Sequence, residues 1–141
     1  RIDLESRALR LAMKRLDKAA IRGLKGLLDR AEGAHDDVTD WSAQNWAFHS
    51  SLYAAAGRPR LLHMIEGLHG QTERHLQLHL TMLGYRETGE REHRELLKLA
   101  AKGDVESAVA LLREHIENVY TLLEPYLSRR NAATSLKTLY P

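Results

Sequence analysis

The chain has 141 residues, 43% hydrophobic and 28% charged, with a formal net charge of +2 and a pI near 9.0; that suffices for one domain with its own core and is too little charge for a nucleic-acid surface. It has no cysteine, which excludes disulfides and cysteine-ligated zinc and suits a cytoplasmic location. No stretch approaches the roughly 20 apolar residues of a membrane span, so no membrane partner is expected, and no signal peptide is visible from Arg1 onward.

Leucine occurs 25 times, isoleucine and valine together 8 times. Leucine suits helices and β-branched residues suit strands, and no segment alternates with period two, so the chain reads as all-α. Helix 1 is expected over 3–15, with Leu4, Ala8, Leu11 and Ala12 on one stripe. Asp17 caps helix 2, which runs to about Ala34 and turns Ile21, Leu24, Leu28 and Ala31 inward. The polar segment His35–Asp40 is a loop. Helix 3 starts after Thr39 or Asp40 and reaches Ala56; Gly57 suits the left-handed position that ends it, and Pro59 the first turn of helix 4. Helix 4 runs to about Leu83, with Leu61, Ile65, Leu68, Thr72, Leu76, His79 and Leu83 along one face. Helix 5 spans roughly 86–101, Gly103 ends it, and Asp104 caps helix 6, which continues to about Ser128 with Pro125 disturbing its last turn. The tail 129–141 receives no structure. Short connections make this an antiparallel six-helix bundle.

Of eight histidines, three stand on apolar faces of three different helices. His115 lies at the centre of the helix 6 stripe of Ala108, Leu111, Leu112, Val119 and Leu122. His93 lies one turn before Leu96, Leu97 and Ala100 on helix 5. His49 lies one turn before Leu52, Tyr53 and Ala56 on helix 3, and Asn45 lies one turn before His49. A buried imidazole needs partners for both ring nitrogens. Three that meet in a bundle core satisfy that need by sharing a metal ion, and neutral imidazole is the commonest protein ligand for zinc, nickel and related ions. The Asn45 carboxamide oxygen is a weak fourth contact. The competing reading is three separate hydrogen-bonded core histidines, because the spacing is not a self-contained signature such as HExxH.

The stretches FHSSLYAAAGRPRL, EHRELLKLAAKGD and AVALLREHI, together with the opening LESRALRLA, resemble the effector-binding C-terminal (FCD) domain of FadR-type GntR transcription regulators over residues 3–127. The resemblance implies a helical bundle with a metal and ligand cavity in its core, and a divalent metal, zinc with nickel or manganese as alternatives, held by one aspartate and three histidines. Carried onto this chain the histidines are His49, His93 and His115, and the aspartate position holds Asn45. The usual asparagine of the turn is Arg58. It further implies a small carboxylate effector beside the metal, a homodimer, and DNA contact only through an N-terminal winged helix-turn-helix domain, absent from this chain. Residues 1–128 are then the effector domain, as if excised. On helix 4, Arg74 is the first candidate for a second effector anchor, since arginine grips carboxylates bidentately, with Gln71, His75 and His79 nearby.

Two other readings stay open: a metal-free effector domain of the same family, and a three-histidine metal hydrolase with Glu92 or Glu114 as general base. The second is disfavoured. Each glutamate adjoins a histidine in the chain and so points to another side of its helix. The protein is accordingly expected not to be an enzyme.

Overall fold

The computed structural model describes the backbone of residues 1–33, 38–83 and 85–139, and side chains other than those of 33–40, 73–84, 122–123 and 125–141. Among the described residues six helices follow in order: α1 (Ile2–Met13), α2 (Lys18–Gly33), α3 (Val38–Ala54), α4 (Pro59–Leu83), α5 (Tyr85–Lys102) and α6 (Val105–Leu139). No strand occurs among the described residues, and the all-α bundle expected from composition is the architecture found.

The ends of the helices follow local chemistry. The Asp17 carboxylate accepts from the Ala20 amide at 2.7 Å, and the Asp104 carboxylate from the Ser107 amide at 3.2 Å, each satisfying one of the amides a helix start leaves open. Gly57 and Gly103 take φ of 63° and 74°, the left-handed conformation that ends α3 and α5. Pro59 opens α4, where its missing N–H costs no hydrogen bond.

Two boundaries differ from expectation. α3 begins at Val38, inside the stretch read as a loop; residues 34–37 lie outside the described set. Val38, Thr39 and Asp40 include no glycine or proline to oppose helix. α6 passes Pro125 and continues to Leu139, taking in most of the tail left without structure. Proline removes one ladder bond, but the following YLSRRNAATSLKTL contains no further helix breaker, so the helix resumes.

The core is one cluster. Phe48, Leu9, Leu52, Ile65, Leu112 and Ile116 are among its largest fully buried apolar side chains, each contributing about 1.5–3 kcal/mol of transfer free energy. α3 packs on α1, α2 and α4, and α5 packs on α2 and α6, with α1 against α6 closing the ring. Charged side chains tie the outer seams. Arg94 of α5 reaches Glu32 and Asp29 of α2, each at 2.6 Å, and Arg10 of α1 forks onto Glu106 of α6.

α1 is rotated relative to its expected stripe. The buried residues are Glu5, Ser6, Ala8, Leu9, Ala12 and Met13, while Leu4 and Leu11 are only partly covered. A carboxylate therefore occupies the face that hydrophobic periodicity assigned to leucine.

Candidate metal and ligand site

His49 from α3, His93 from α5 and His115 from α6 meet in the core. All three are buried, and one ring nitrogen from each falls within 4.8 Å of the others. The His49 and His93 ring centroids are 4.8 Å apart, those of His93 and His115 4.8 Å, and those of His49 and His115 5.5 Å. His49 Nε2 and His93 Nε2 are 3.0 Å apart. Two imidazole nitrogens each ~2.0–2.1 Å from one zinc ion lie roughly 3.0–3.5 Å from each other, so this pair already has a suitable separation.

The surroundings keep His49 and His93 neutral. Burial, then the imidazoles of His93 and His115, then the Arg1 guanidinium hold His49 well below the usual histidine pKa. Burial and His115 do the same for His93. A neutral imidazole retains the lone pair that a metal ligand must offer. Phe48 packs edge-on to His49 and tilted against His93, walling the cluster from the rest of the core.

Each outer histidine has a carboxylate behind it. His115 Nδ1 lies 2.6 Å from Glu92 Oε2, which also accepts from the Tyr85 hydroxyl at 2.9 Å. Burial pushes the Glu92 carboxyl up, but the His115, Tyr85 and Asn118 donors outweigh it and hold the group below the usual glutamate value. His49 Nδ1 lies 3.2 Å from the Tyr53 hydroxyl, which donates to Glu5 Oε2 at 2.7 Å. The other oxygen of Glu5 accepts from Arg1 Nε at 2.6 Å. Burial and then Glu5 raise the Tyr53 phenol well above its ordinary value, so it stays a donor.

The remaining expected residues fall as follows. Asn45 is half-buried one turn before His49, and its Oδ1 is enclosed with no hydrogen-bond partner. An orphaned acceptor costs about 1–3 kcal/mol, a penalty that an electrophilic partner would remove. Gln71 is exposed. The side chains of Arg74, His75 and His79 lie outside the described residues. Glu114 is exposed, as its position beside His115 implies. Glu92, by contrast, is no bystander: turned away from His93 by one residue of helix, it faces α6 and takes His115.

Three further residues escaped the sequence reading. His69 of α4, given no role there, is buried with its ring centroid 4.3 Å from that of Trp46; burial and then Arg1 push it down to about 4. Arg1 carries an enclosed Nη1 with no hydrogen-bond partner, and its charge is felt by both His49 and His69. Glu5 holds Arg1 there. The signal available was the i, i+4 spacing of Arg1, Glu5 and Leu9 on one helix face. A separate groove of about 640 Å³ opens between α1 and residues 57–61, and it shares no residue with the histidine cluster.

Residues 1–118 match the FCD domain family, and the chain belongs to that family. Among solved structures it is similar to a GntR-family transcriptional regulator from Pseudomonas syringae pv. tomato str. DC3000, with 30% identity and a TM-score of 0.78 over 91% of this chain. It is also similar to McbR/YncC of E. coli, with 25% identity and a TM-score of 0.77 over 89% of this chain. The chain spans 54% and 61% of those two chains. A comparison with curated proteins found no match. The family and its neighbours point to regulation rather than catalysis, and no described helix is long and apolar enough to cross a membrane.

Proposed function

We propose that this chain is the ligand-sensing domain of a GntR-type transcription regulator of the FadR kind, and that it senses a small carboxylate at a divalent cation site formed by His49, His93 and His115. The observation that carries this reading is the convergence of three buried imidazoles from three helices, two of them, His49 and His93, held neutral by burial. The donor set is all nitrogen apart from the adjoining Asn45 amide, which suits zinc or nickel better than a hard cation such as manganese. When bound, the cation supplies positive charge with open positions for a carboxylate.

The chain's own residues do the rest. The three histidines hold the centre, and Asn45 Oδ1, enclosed and unpaired, lies one turn before His49. Arg1 offers an unpaired Nη1 and a charge close enough to perturb His49, which makes it a stronger candidate for the second effector anchor than Gln71, which faces solvent. In this reading the whole regulator is a cytoplasmic homodimer that reaches DNA through a winged helix-turn-helix domain. Effector binding acts by favouring one arrangement of α1 and α4 over another.

Calorimetric titration with zinc, nickel and manganese, alongside elemental analysis of the purified protein, tests the site. Binding of one ion per chain that His93→Ala abolishes is the expected result. Absence of co-purified metal together with no binding of any of the three ions would remove it. A metal-free effector site is the second reading, and one observation favours it: the 3.0 Å contact between His49 and His93 satisfies both Nε2 atoms without an ion.

A further inference from the structure

We propose that Glu92 and the Glu5–Tyr53 pair are positioning residues that keep His115 and His49 protonated on Nδ1, so that both Nε2 lone pairs face the shared centre, and that His93 is the one ligand whose proton must move. The purpose of this arrangement rests on the metal reading above; the arrangement itself follows from counting protons.

A phenol carries one proton. Tyr53 spends it on Glu5 Oε2 at 2.7 Å, because that carboxylate, with its other oxygen on Arg1, is an acceptor only. The Tyr53 oxygen can then meet His49 Nδ1, at 3.2 Å, only by accepting from it. His49 therefore carries its proton on Nδ1 and leaves Nε2 bare. Around His115 the logic is shorter. Glu92 Oε2, already accepting from Tyr85, stands 2.6 Å from His115 Nδ1, and a carboxylate there demands Nδ1–H. With Nδ1 engaged, Nε2 is the ligand atom His115 has left.

The third ring follows by exclusion. His49 Nε2 and His93 Nε2 are 3.0 Å apart, and two bare lone pairs at that distance repel. His93 must supply the proton, so in the metal-free protein it donates Nε2–H to His49. Releasing Nε2 for coordination means the proton leaves that atom and one is held on Nδ1 instead; the ring stays neutral and the proton count is unchanged. Two ligands are thus preset and the third is converted. The arrangement explains how three imidazoles share a core with each Nε2 of the His49–His93 pair satisfied. Orienting carboxylates of this kind typically alter metal affinity 10–100-fold when removed.

Long-range ¹H–¹⁵N correlation spectra of the metal-free protein read the tautomers directly. His49 and His115 should show the Nδ1–H pattern and His93 the Nε2–H pattern; an Nε2–H pattern at His49 or His115 overturns the proposal. In Glu92→Leu, His115 should change to Nε2–H and zinc affinity by calorimetry should fall about 10–100-fold. Glu92→Gln, which keeps an acceptor oxygen, should retain the Nδ1–H pattern and lose less. Unchanged tautomer and unchanged affinity in Glu92→Leu contradict the assignment. If that variant does not fold, the wild-type spectra decide. The stated tautomers in a protein that binds no zinc, nickel or manganese leave the wiring standing and remove only the metal reading.

Discussion

In the proposed metal reading, Asn45 is the residue on which the chemistry would turn. Its oxygen is enclosed and unpaired, one helical turn from His49. The family resemblance places a metal-binding aspartate at this position, and asparagine supplies an oxygen without the charge. Adding a negative charge beside a cation site favours the occupied state, so Asn45→Asp should tighten zinc binding at least tenfold by calorimetry. The metal-free Asn45→Asp protein should be less stable to urea, because the new carboxylate is half-buried beside neutral imidazoles with no cation to answer it. Unchanged affinity would place Asn45 outside the site. The inward facing of the three histidines was legible in the sequence because an imidazole on an apolar stripe breaks the pattern that surrounds it, whereas Asn45 was singled out by its place one turn before His49 and by the family resemblance. Glu92 was misjudged for a definable reason. Its position next to His93 says correctly that it points away from His93, but only the packing of α5 on α6 reveals that this direction leads to His115.

At the scale of the elements, punctuation residues did most of the work, and it can be tested residue by residue. Gly57 and Gly103 both need positive φ, where a β-carbon costs roughly 1–2 kcal/mol. A β-carbon on Gly103 meets open space, whereas one on Gly57 would displace the Arg15 guanidinium that donates to the Ala56 carbonyl at 3.2 Å. Both alanine variants should lose stability in urea denaturation, Gly57→Ala more than Gly103→Ala, and equal losses would show that the Arg15 contact contributes nothing. Removing the cap in Asp104→Ala should cost about 1 kcal/mol. The cap and glycine positions were readable because they depend on a few adjacent residues. The facing of α1 was not. Its apolar residues tolerate two readings about one residue apart, and the choice was made by partners on α3: Glu5 turns inward because Tyr53 donates to it, at 2.7 Å, from across the core.

Across the whole molecule, burying several neutral histidines ties folding to pH. His49, His93 and His69 all have folded-state pKa values below that of an unfolded histidine, His69 at about 4. Below about pH 6.5 the unfolded chain takes up protons that the folded core refuses. Their contribution is therefore fully present above pH 6.5 and lost as pH falls toward the folded values. Urea unfolding should show stability declining between pH 6.5 and 5, before ordinary carboxylates titrate, with a slope approaching about 1.4 kcal/mol per pH unit for each such histidine. Replacing His69 by leucine should flatten that slope by one proton's worth, while stability independent of pH over this interval would mean the rings are not held neutral. Saturating zinc should raise the melting temperature at pH 7.5 in proportion to the logarithm of its concentration, and the shift should vanish in His93→Ala.

By itself the sequence determined the all-α class, the helices found among the described residues, most of their boundaries and the inward facing of His49, His93 and His115, but not that of His69. Those features depend on contacts within a few residues, on periodicity, and on the conformational limits of glycine and proline. The tertiary structure alone decided that the three imidazoles meet, that Glu5 and Glu92 stand behind two of them, and that Arg1 brings its charge to the same place. Such facts rest on the relative rotation and register of helices distant in the chain. Periodicity says which face of a helix is buried; only packing says what that face meets.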